Sequence, residues 1–463
     1  MVFPIAGGNE SKGYEISNSL RFNDDDSPLL TRAISTNPSD QKLTTISFWF
    51  KIGNITSAFR ALYRFNDGSS TGAIYLRSGD DLQFAWNVSS GTLDVRPDGV
   101  FRDPSAWYHC HIKVDTTQGT AANRVIIHIN GVERSYGTAT YPNQNATLEH
   151  LSNGETYYIG GDGQSSDKYF DGYIAEFNVI DGQAKDYTDF GEFDDNGVWI
   201  PKKYTGTYGN NGFYLKFQQT GTSANSSGIG ADTSGNDLHW TPSNLAALDV
   251  TEDTCTNNFC TLSPLAQNTY AGGTLSEGNC EWTSGVSEYS PRLGTFGLSS
   301  GKWYWEIKPT LNEGSSNDPF LIGISSTEAT ANSQELGHSS DDWAYYNNGK
   351  YRNSDSDSNY GNTYTVNDII GVALDLDNSK LYFSKNGTFQ NSGDPTSGST
   401  GTGAISITSN LAATDFGFYF PALSDYDNSS GKYSRFQANF GNPPFAISSG
   451  NTDGKYGNFE YAP

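Results

Sequence analysis

The most ligand-like stretch of the chain is Ser339–Tyr360, where aromatic rings alternate with carboxylates and amides. Aromatic faces stack on the apolar side of a sugar ring while Asp and Asn exchange hydrogen bonds with its hydroxyls, the division of labour found in shallow polar sites. On that chemistry Asp341, Asp342, Trp343, Tyr345, Tyr346, Tyr351, Asp355, Asp357 and Tyr360 are candidate ligand contacts. Alternatively, Trp343 and Tyr345 anchor a sheet and only the tail of the segment is exposed. A second oxygen-rich loop, Asp162-Gly-Gln-Ser-Ser-Asp167, offers Asp162 and Asp167 to Ca²⁺, although its spacing is not that of an EF-hand.

His109 and His111 stand at i and i+2 on one strand face, a spacing able to clamp a metal, but no third ligand is identifiable. They are read as a mid-strand pair on the polar side. Cys255, Cys260 and Cys280 lack a fourth metal ligand, so the cysteines, Cys110 included, are expected as thiols. Glycan cleavage by a jelly-roll needs acids at alternate strand positions, one of them to protonate the glycosidic oxygen. No strand here has that pattern. Glu15, Glu133, Glu176 and Glu306 stand singly among apolar neighbours, and Asp24-Asp25, Asp80-Asp81 and Asp341-Asp342 sit in turn-like sequence, where Asp is favoured for backbone hydrogen bonding. No Gly-Lys-Ser/Thr phosphate loop occurs. A non-enzyme is expected.

The elements that must carry these residues are strands. Asn130-Gly131 and Asn386-Gly387 each lie between alternating apolar and polar runs and predict two-residue hairpins, because both residues tolerate the positive φ of a type I′ turn. The hairpins are too far apart to share one sheet. Strands are predicted at Tyr14–Phe22, Thr45–Lys51, Leu82–Val88, Trp107–Val114 and Phe170–Ile180 in the first half. In the second, Gly301–Lys308 puts Trp303 and Trp305 on one face, with Tyr304 and Glu306 on the other. Helical periodicity is scarce. The fold class is all-β: two antiparallel β-sandwiches in tandem, over 14–190 and 257–463, with an irregular connector over 191–256 that contributes a strand packed on a module.

Charged residues are 17% of the chain, against roughly 25% in typical globular proteins, so amides and hydroxyls cover much of the surface. A formal net charge of −24 repels polyphosphate and anionic membranes, which disfavours nucleic acid as a partner. No segment reaches the roughly 18 apolar residues of a membrane span, and Met1–Glu10 has neither the basic nor the apolar region of a secretory signal. Synthesis and folding in the cytoplasm, without membrane insertion, are expected.

Ser47-Phe-Trp-Phe50, Trp107-Tyr-His109, Val125–Gly131 and Phe170–Glu176, in this order and spacing, resemble the laminin-G-like, concanavalin-A-like jelly-roll over Ser19–Gln183. The resemblance implies two curved antiparallel sheets with rim loops that in some relatives hold calcium or glycan. Gly301-Lys-Trp-Tyr-Trp-Glu306, the Gly371–Asp377 strand, the Asn386-Gly387 hairpin and Asn439-Phe-Gly441 resemble the SPRY family over Asn257–Ile447. SPRY domains bind protein partners through loops at one rim, which implies recognition rather than catalysis.

The fused pair, with Phe101-Arg-Asp-Pro-Ser-Ala-Trp-Tyr108, Asp181-Gly-Gln-Ala184 and Trp199–Gly209, is similar to virion-associated proteins of marine tailed bacteriophages. This implies a structural protein on the virion, assembled in the host cytoplasm, whose modules serve adhesion or decoration. It would be a tail-fibre or tail-tip receptor binder, or a head decoration or head fibre. The partners so implied are capsid or tail proteins, further copies of the chain, and a host-surface glycan or protein receptor. Residues 1–13 are the candidate docking segment, and no heptad shaft is present. The alternative is a carbohydrate-active enzyme with an appended SPRY-like module.

Overall fold

Both Asn-Gly pairs form the turns their sequence demands. Asn130 and Gly131 have φ of 49° and 73°, Asn386 and Gly387 of 47° and 78°, the double left-handed conformation of a type I′ turn. They fold Val125–Ile129 onto Val132–Glu133 and Lys380–Lys385 onto Thr388–Phe389. Each asparagine also ties its hairpin to an earlier segment of the chain. Asn130 Oδ1 accepts the His109 N–H at 2.7 Å and Asn386 Oδ1 accepts the Ile369 N–H at 2.8 Å.

The computed structural model describes residues 13–56, 58–66, 71–88, 91–164, 168–265, 273–285, 291–313, 320–327, 334–425, 433–449, 451–452 and 457–461. Their regular structure is almost entirely antiparallel strand, with a few short 3₁₀ helices. Among them no helix is long and apolar enough to cross a membrane. The chain divides into two units, Met1–Asn258 and Phe259–Pro463. Residues 1–12 of the expected docking segment, and Asp167, lie outside the described residues.

In the first unit one sheet runs Val132–Glu133, Val125–Ile129, Tyr108–Asp115, Leu43–Ile52, Gly172–Asp181, Ser19–Phe22, Val250–Thr251, and Phe213–Leu215 also pairs with Gly172–Asp181. The other runs Tyr136–Thr140, Gly91–Pro97, Leu82–Val88, Thr71–Leu76, Arg60–Asn66, Thr156–Ile159, Leu29–Ala33, Thr241–Ser243. Alternate side chains from both, such as Phe48, Phe50, Phe65, Phe84 and Phe177, fill one core between them. Phe48 and Phe177 stack with centroids 4.8 Å apart. Gly72 is fixed by this packing, since a Cβ there would lie 1.5 Å from Cδ1 of Trp86. The residues read as a connector thus extend both sheets, through 213–215 and 250–251 on one and 241–243 on the other.

The outer face of the first sheet is sealed by the chain itself. Lys51 and Asp253, both fully buried, pair at 2.9 Å, and the Trp107 indole N–H donates to the second Asp253 oxygen at 3.0 Å. The pair pins residues 252–258 over the sheet. From the other end of the unit, Ile16 exchanges hydrogen bonds with the Thr256 hydroxyl, its N–H donating and its carbonyl accepting at 3.1 Å. Tyr14 reaches Glu176, whose φ of 51° belongs to a bulge where the register against Leu43–Ile52 slips. The first strand is therefore Ser19–Phe22 only, because Tyr14–Asn18 is diverted across the sheet face instead of continuing the ladder.

In the second unit one sheet runs Thr274–Ser276, Glu281–Thr283, Ser434–Asn439, Lys302–Asn312, Ile370–Asp375, Lys380–Lys385, Thr388–Phe389. The other runs Arg292–Leu293, Phe420–Asp425, Phe320–Ser325, Asp342–Tyr346, Lys350–Asn353, Ser356–Asn359. Trp282, Trp305, Ile322, Phe383 and Phe436 belong to the core between them, and Trp303 packs at its margin. Glu306, on the opposite face from Trp305, accepts the backbone N–H groups of Glu460 and Tyr461 at 2.9 and 2.8 Å, which ties the C-terminal residues to the sheet.

Candidate binding surfaces

The aromatic half of Ser339–Tyr360 is interior. Asp342–Tyr346 is a strand buried on both faces. Trp343 and Tyr345 enter the core, Trp343 edge-on to Tyr419 at 5.6 Å and Tyr345 stacked on Phe383 at 5.3 Å. Tyr346, on the other face, packs with Leu293, Leu321 and Leu336. Tyr360 is buried too and its hydroxyl accepts the Phe383 N–H at 3.1 Å. Asp342, 2% exposed, accepts from the Ser325 hydroxyl at 2.6 Å, and burial pushes its carboxyl up to about 7. These five positions present no open surface to a ligand, a correction to their reading as stacking and hydrogen-bonding contacts: the strand Asp342–Tyr346 has cover on each side, and the Tyr360 ring packs against Tyr345 and Phe383.

Asp341 and Tyr351 are half-buried, and Asp355 and Asp357 lie on an exposed hairpin. Arg352 organises that hairpin. Its Nη2 meets Glu335 at 2.9 Å and Asp355 at 2.6 Å, and its Nη1 donates to the Tyr346 hydroxyl at 3.0 Å. His338 Nδ1 lies 2.7 Å from the second Asp355 oxygen. Hydrogen bonding to Arg352 holds the Asp355 carboxyl below its usual range. Asp355 and Asp357 are thus engaged with their own hairpin, Asp357 lying 3.7 Å from Lys350 Nζ.

Asp162 is fully buried, with Arg64 at 3.0 Å and Lys168 at 3.3 Å. A Ca²⁺ ion at this carboxylate would meet two cations already beside it. Among the described residues no three His, Cys, Asp or Glu side chains converge as a metal site. His109 and His111 lie beneath the segment 185–204 instead of on an open face. Trp199 Nε1–H donates to His109 Nδ1 at 3.1 Å, and His109 Nε2 lies 2.9 Å from Ser47 Oγ. Indole is a donor only, so Nδ1 carries no proton and Nε2–H faces the serine. Burial lowers His109 to about 3, which keeps it neutral. The Ser-His contact therefore has its proton on the side opposite to that of a nucleophile and its base.

The second sheet of the first unit keeps an open outer face. Register places Arg64, Ala73, Ala85 and Asp94 in one cross-strand row. Arg64 and Asp94 stand about 14 Å apart, three strand spacings, with two alanines between them. The result is a shallow trough of about 180 Å³, bordered by Arg64, Thr71, Tyr75, Thr92 and Asp94. Asp94 is held by Arg96 at 2.6 Å and by Gln83 at 2.9 Å. Lys168 Nζ sits 5.8 Å from the Tyr75 ring centre, and Phe59 meets that ring edge-on at 5.7 Å. Sequence reasoning missed this row. Its trace was the i, i+2 placement of Arg64, Ala73 and Tyr75, Gln83 and Ala85, and Asp94 and Arg96 on strands whose other face is aromatic or aliphatic.

Two antiparallel sandwiches, one with an open polar face and one with a charged rim hairpin, define a class of binding modules. Residues 24–185 match the concanavalin A-like lectin/glucanases superfamily and residues 302–408 match the SPRY domain, so the chain carries one domain of each kind. The ATP-dependent RNA helicase DDX1 of Xenopus laevis is 32% identical over 112 residues, 24% of this chain and 14% of that protein. The chain thus spans about one seventh of the length of this relative. Among solved structures, the heptameric SAP-like pentraxin of Limulus polyphemus aligns at 16% identity, covering 38% of this chain and 80% of that one, with a TM-score of 0.27. The SPRY domain of human HERC1 aligns at 19% identity over 34% of this chain and 87% of that one, with a TM-score of 0.25.

Proposed function

We propose that this protein is a non-catalytic recognition protein displayed on the outside of a tailed-phage particle, and that the trough of the concanavalin A-like domain binds a saccharide. The observation that carries the proposal is the trough itself. A half-buried tyrosine ring lies beside two alanines, within reach of an arginine, an amide and a carboxylate, which suits the apolar and hydroxyl faces of a sugar. Non-catalytic action is supported by the engagement of two carboxylates near the trough, Asp94 with Arg96 and Asp162 with Arg64 and Lys168. Glycoside hydrolysis needs one acid able to give up a proton and another facing it across the bond. The virion setting rests on the similarity of Phe101–Tyr108, Asp181–Ala184 and Trp199–Gly209 to phage virion proteins, with adhesion to a host surface or decoration of the head as the role.

Binding of the full chain to an array of bacterial and algal glycans tests the saccharide. Wild-type protein should bind, and Tyr75→Ala should bind about five- to tenfold more weakly, the worth of one stacking contact. Unchanged binding by Tyr75→Ala would overturn the assignment to the trough. Release of reducing ends from a bound glycan would instead establish the carbohydrate-active enzyme. Imaging of intact virions tests the setting, and particles without density for this chain on head or tail would refute it.

A further inference from the structure

Lys51 is the one lysine buried from solvent among the described residues, and such interior positions are otherwise held by arginine, at Arg21, Arg60 and Arg292. Arginine suits a buried ion pair better, because its delocalised charge is weakly hydrated and it keeps its proton. Lysine brings what arginine lacks, an amine that becomes a nucleophile once a proton is taken from it.

A base for that proton and an electrophile both touch the amine. Asp253 Oδ2 lies 2.9 Å from Lys51 Nζ, and both side chains are fully buried. Asn258 Oδ1 accepts a hydrogen bond from the same Nζ at 2.8 Å. The amide carbon Cγ, one C=O bond of about 1.2 Å further on, is therefore within about 4 Å of Nζ, and bond formation asks for about 3–3.5 Å. Asn258 Nδ2 donates to the Ser105 carbonyl at 2.7 Å, which keeps the carbonyl end of the amide toward the lysine. The Trp107 indole N–H holds the second Asp253 oxygen at 3.0 Å, and the Tyr173 ring centre lies 5.6 Å from Nζ. Asn258 is only half-buried, so its nitrogen stands at the margin of this aromatic pocket.

We infer that Lys51 and Asn258 join in an intramolecular isopeptide bond, with Asp253 carrying the protons. Asp253 takes a proton from the Lys51 ammonium, and the lone pair this frees on Nζ forms the bond to Cγ while the carbonyl π pair moves onto Oδ1. Asp253 gives its proton to Nδ2, and ammonia leaves with the electron pair of the Cγ–Nδ2 bond as the carbonyl re-forms. Asp253 then takes the surplus proton from Nζ. The products are a secondary amide, ammonia and a neutral Asp253, and no oxidant or cofactor is consumed. Both charges of a buried ion pair disappear, and with them the desolvation that such a pair costs. The bond ties together residues 207 apart in sequence, and it stands independently of the saccharide reading.

The intact mass of the denatured full chain tests it. Wild type should weigh about 17 Da less than its sequence, the mass of one ammonia, and a protease digest should yield a branched peptide joining Lys51 to Asn258. Lys51→Arg, which keeps the ion pair, should show its full sequence mass. So should Asn258→Ala, whose half-buried position tolerates truncation, and Asp253→Asn, which lacks the base. Wild type at its full mass, or without the branched peptide, would overturn the inference. The same loss persisting in Lys51→Arg would place it in a succinimide at an Asn-Gly pair, and the bond forming fully in Asp253→Asn would remove the proton carrier; either result also overturns it.

Discussion

Asp342 makes the second unit more stable in mild acid than in mild base. Its carboxyl is buried in the strand Asp342–Tyr346, with the Ser325 hydroxyl as hydrogen-bond donor and the charges of Asp341 and His338 nearby. Burial outweighs the hydrogen bonds, and the folded carboxyl titrates at about 7 against 3.8 in the unfolded chain. Between those values the folded state holds a proton that the unfolded state has released, so stability is full below about pH 4 and is lost as pH rises through 7. Three pH units at about 1.4 kcal/mol each give a ceiling of about 4 kcal/mol. Asp342→Asn removes the titration while keeping the shape and an acceptor for Ser325. At pH 4.5 the variant and wild type should unfold at similar urea concentrations, and at pH 8 the variant should be more stable by a few kcal/mol, up to that ceiling. The net charge of −24 also weakens the protein as pH rises, but it acts on both chains, so the difference between them isolates Asp342. Hydrogen exchange at Phe320–Ser325 and Asp342–Tyr346 assigns the effect to this unit. Parallel stability profiles for the two proteins between pH 4.5 and 8 would refute the reasoning.

Asp253→Ala leaves Lys51 and the Trp107 indole buried without this partner, and should cost the first unit about 3–5 kcal/mol in urea unfolding. Asp186→Ala, whose pair with Lys113 involves an aspartate side chain 68% exposed, should cost under about 1 kcal/mol. Gly72→Ala drives a Cβ into Trp86 and Phe65 and should cost about 1–3 kcal/mol or more, with a changed near-ultraviolet dichroism of Trp86. Wild-type spectra in that variant would show that the ring can step aside.

What was legible in the sequence follows from the range of the forces involved. The Asn-Gly turns were legible because positive φ is a local demand that few residues meet. The sandwich class was legible because alternation at i and i+2 reports a one-sided core. Asp342–Tyr346 misled for the same reason, since a strand covered on both faces shows no alternation, and aromatic rings beside carboxylates then look like a loop. The sealing of the first sheet was invisible, because Lys51 and Asp253 are 202 residues apart in sequence and no neighbour of either marks the partner.

The first unit begins and ends side by side, with Ile16 bound to Thr256 and Ser19–Phe22 laddered to Val250–Thr251. A pull on its two ends would peel that short ladder open rung by rung, as a zipper, before any load reached the sheets behind it. Mechanically the domain hangs as a side branch off the line of tension, and a tether through this chain can stretch while whatever the domain grips stays held.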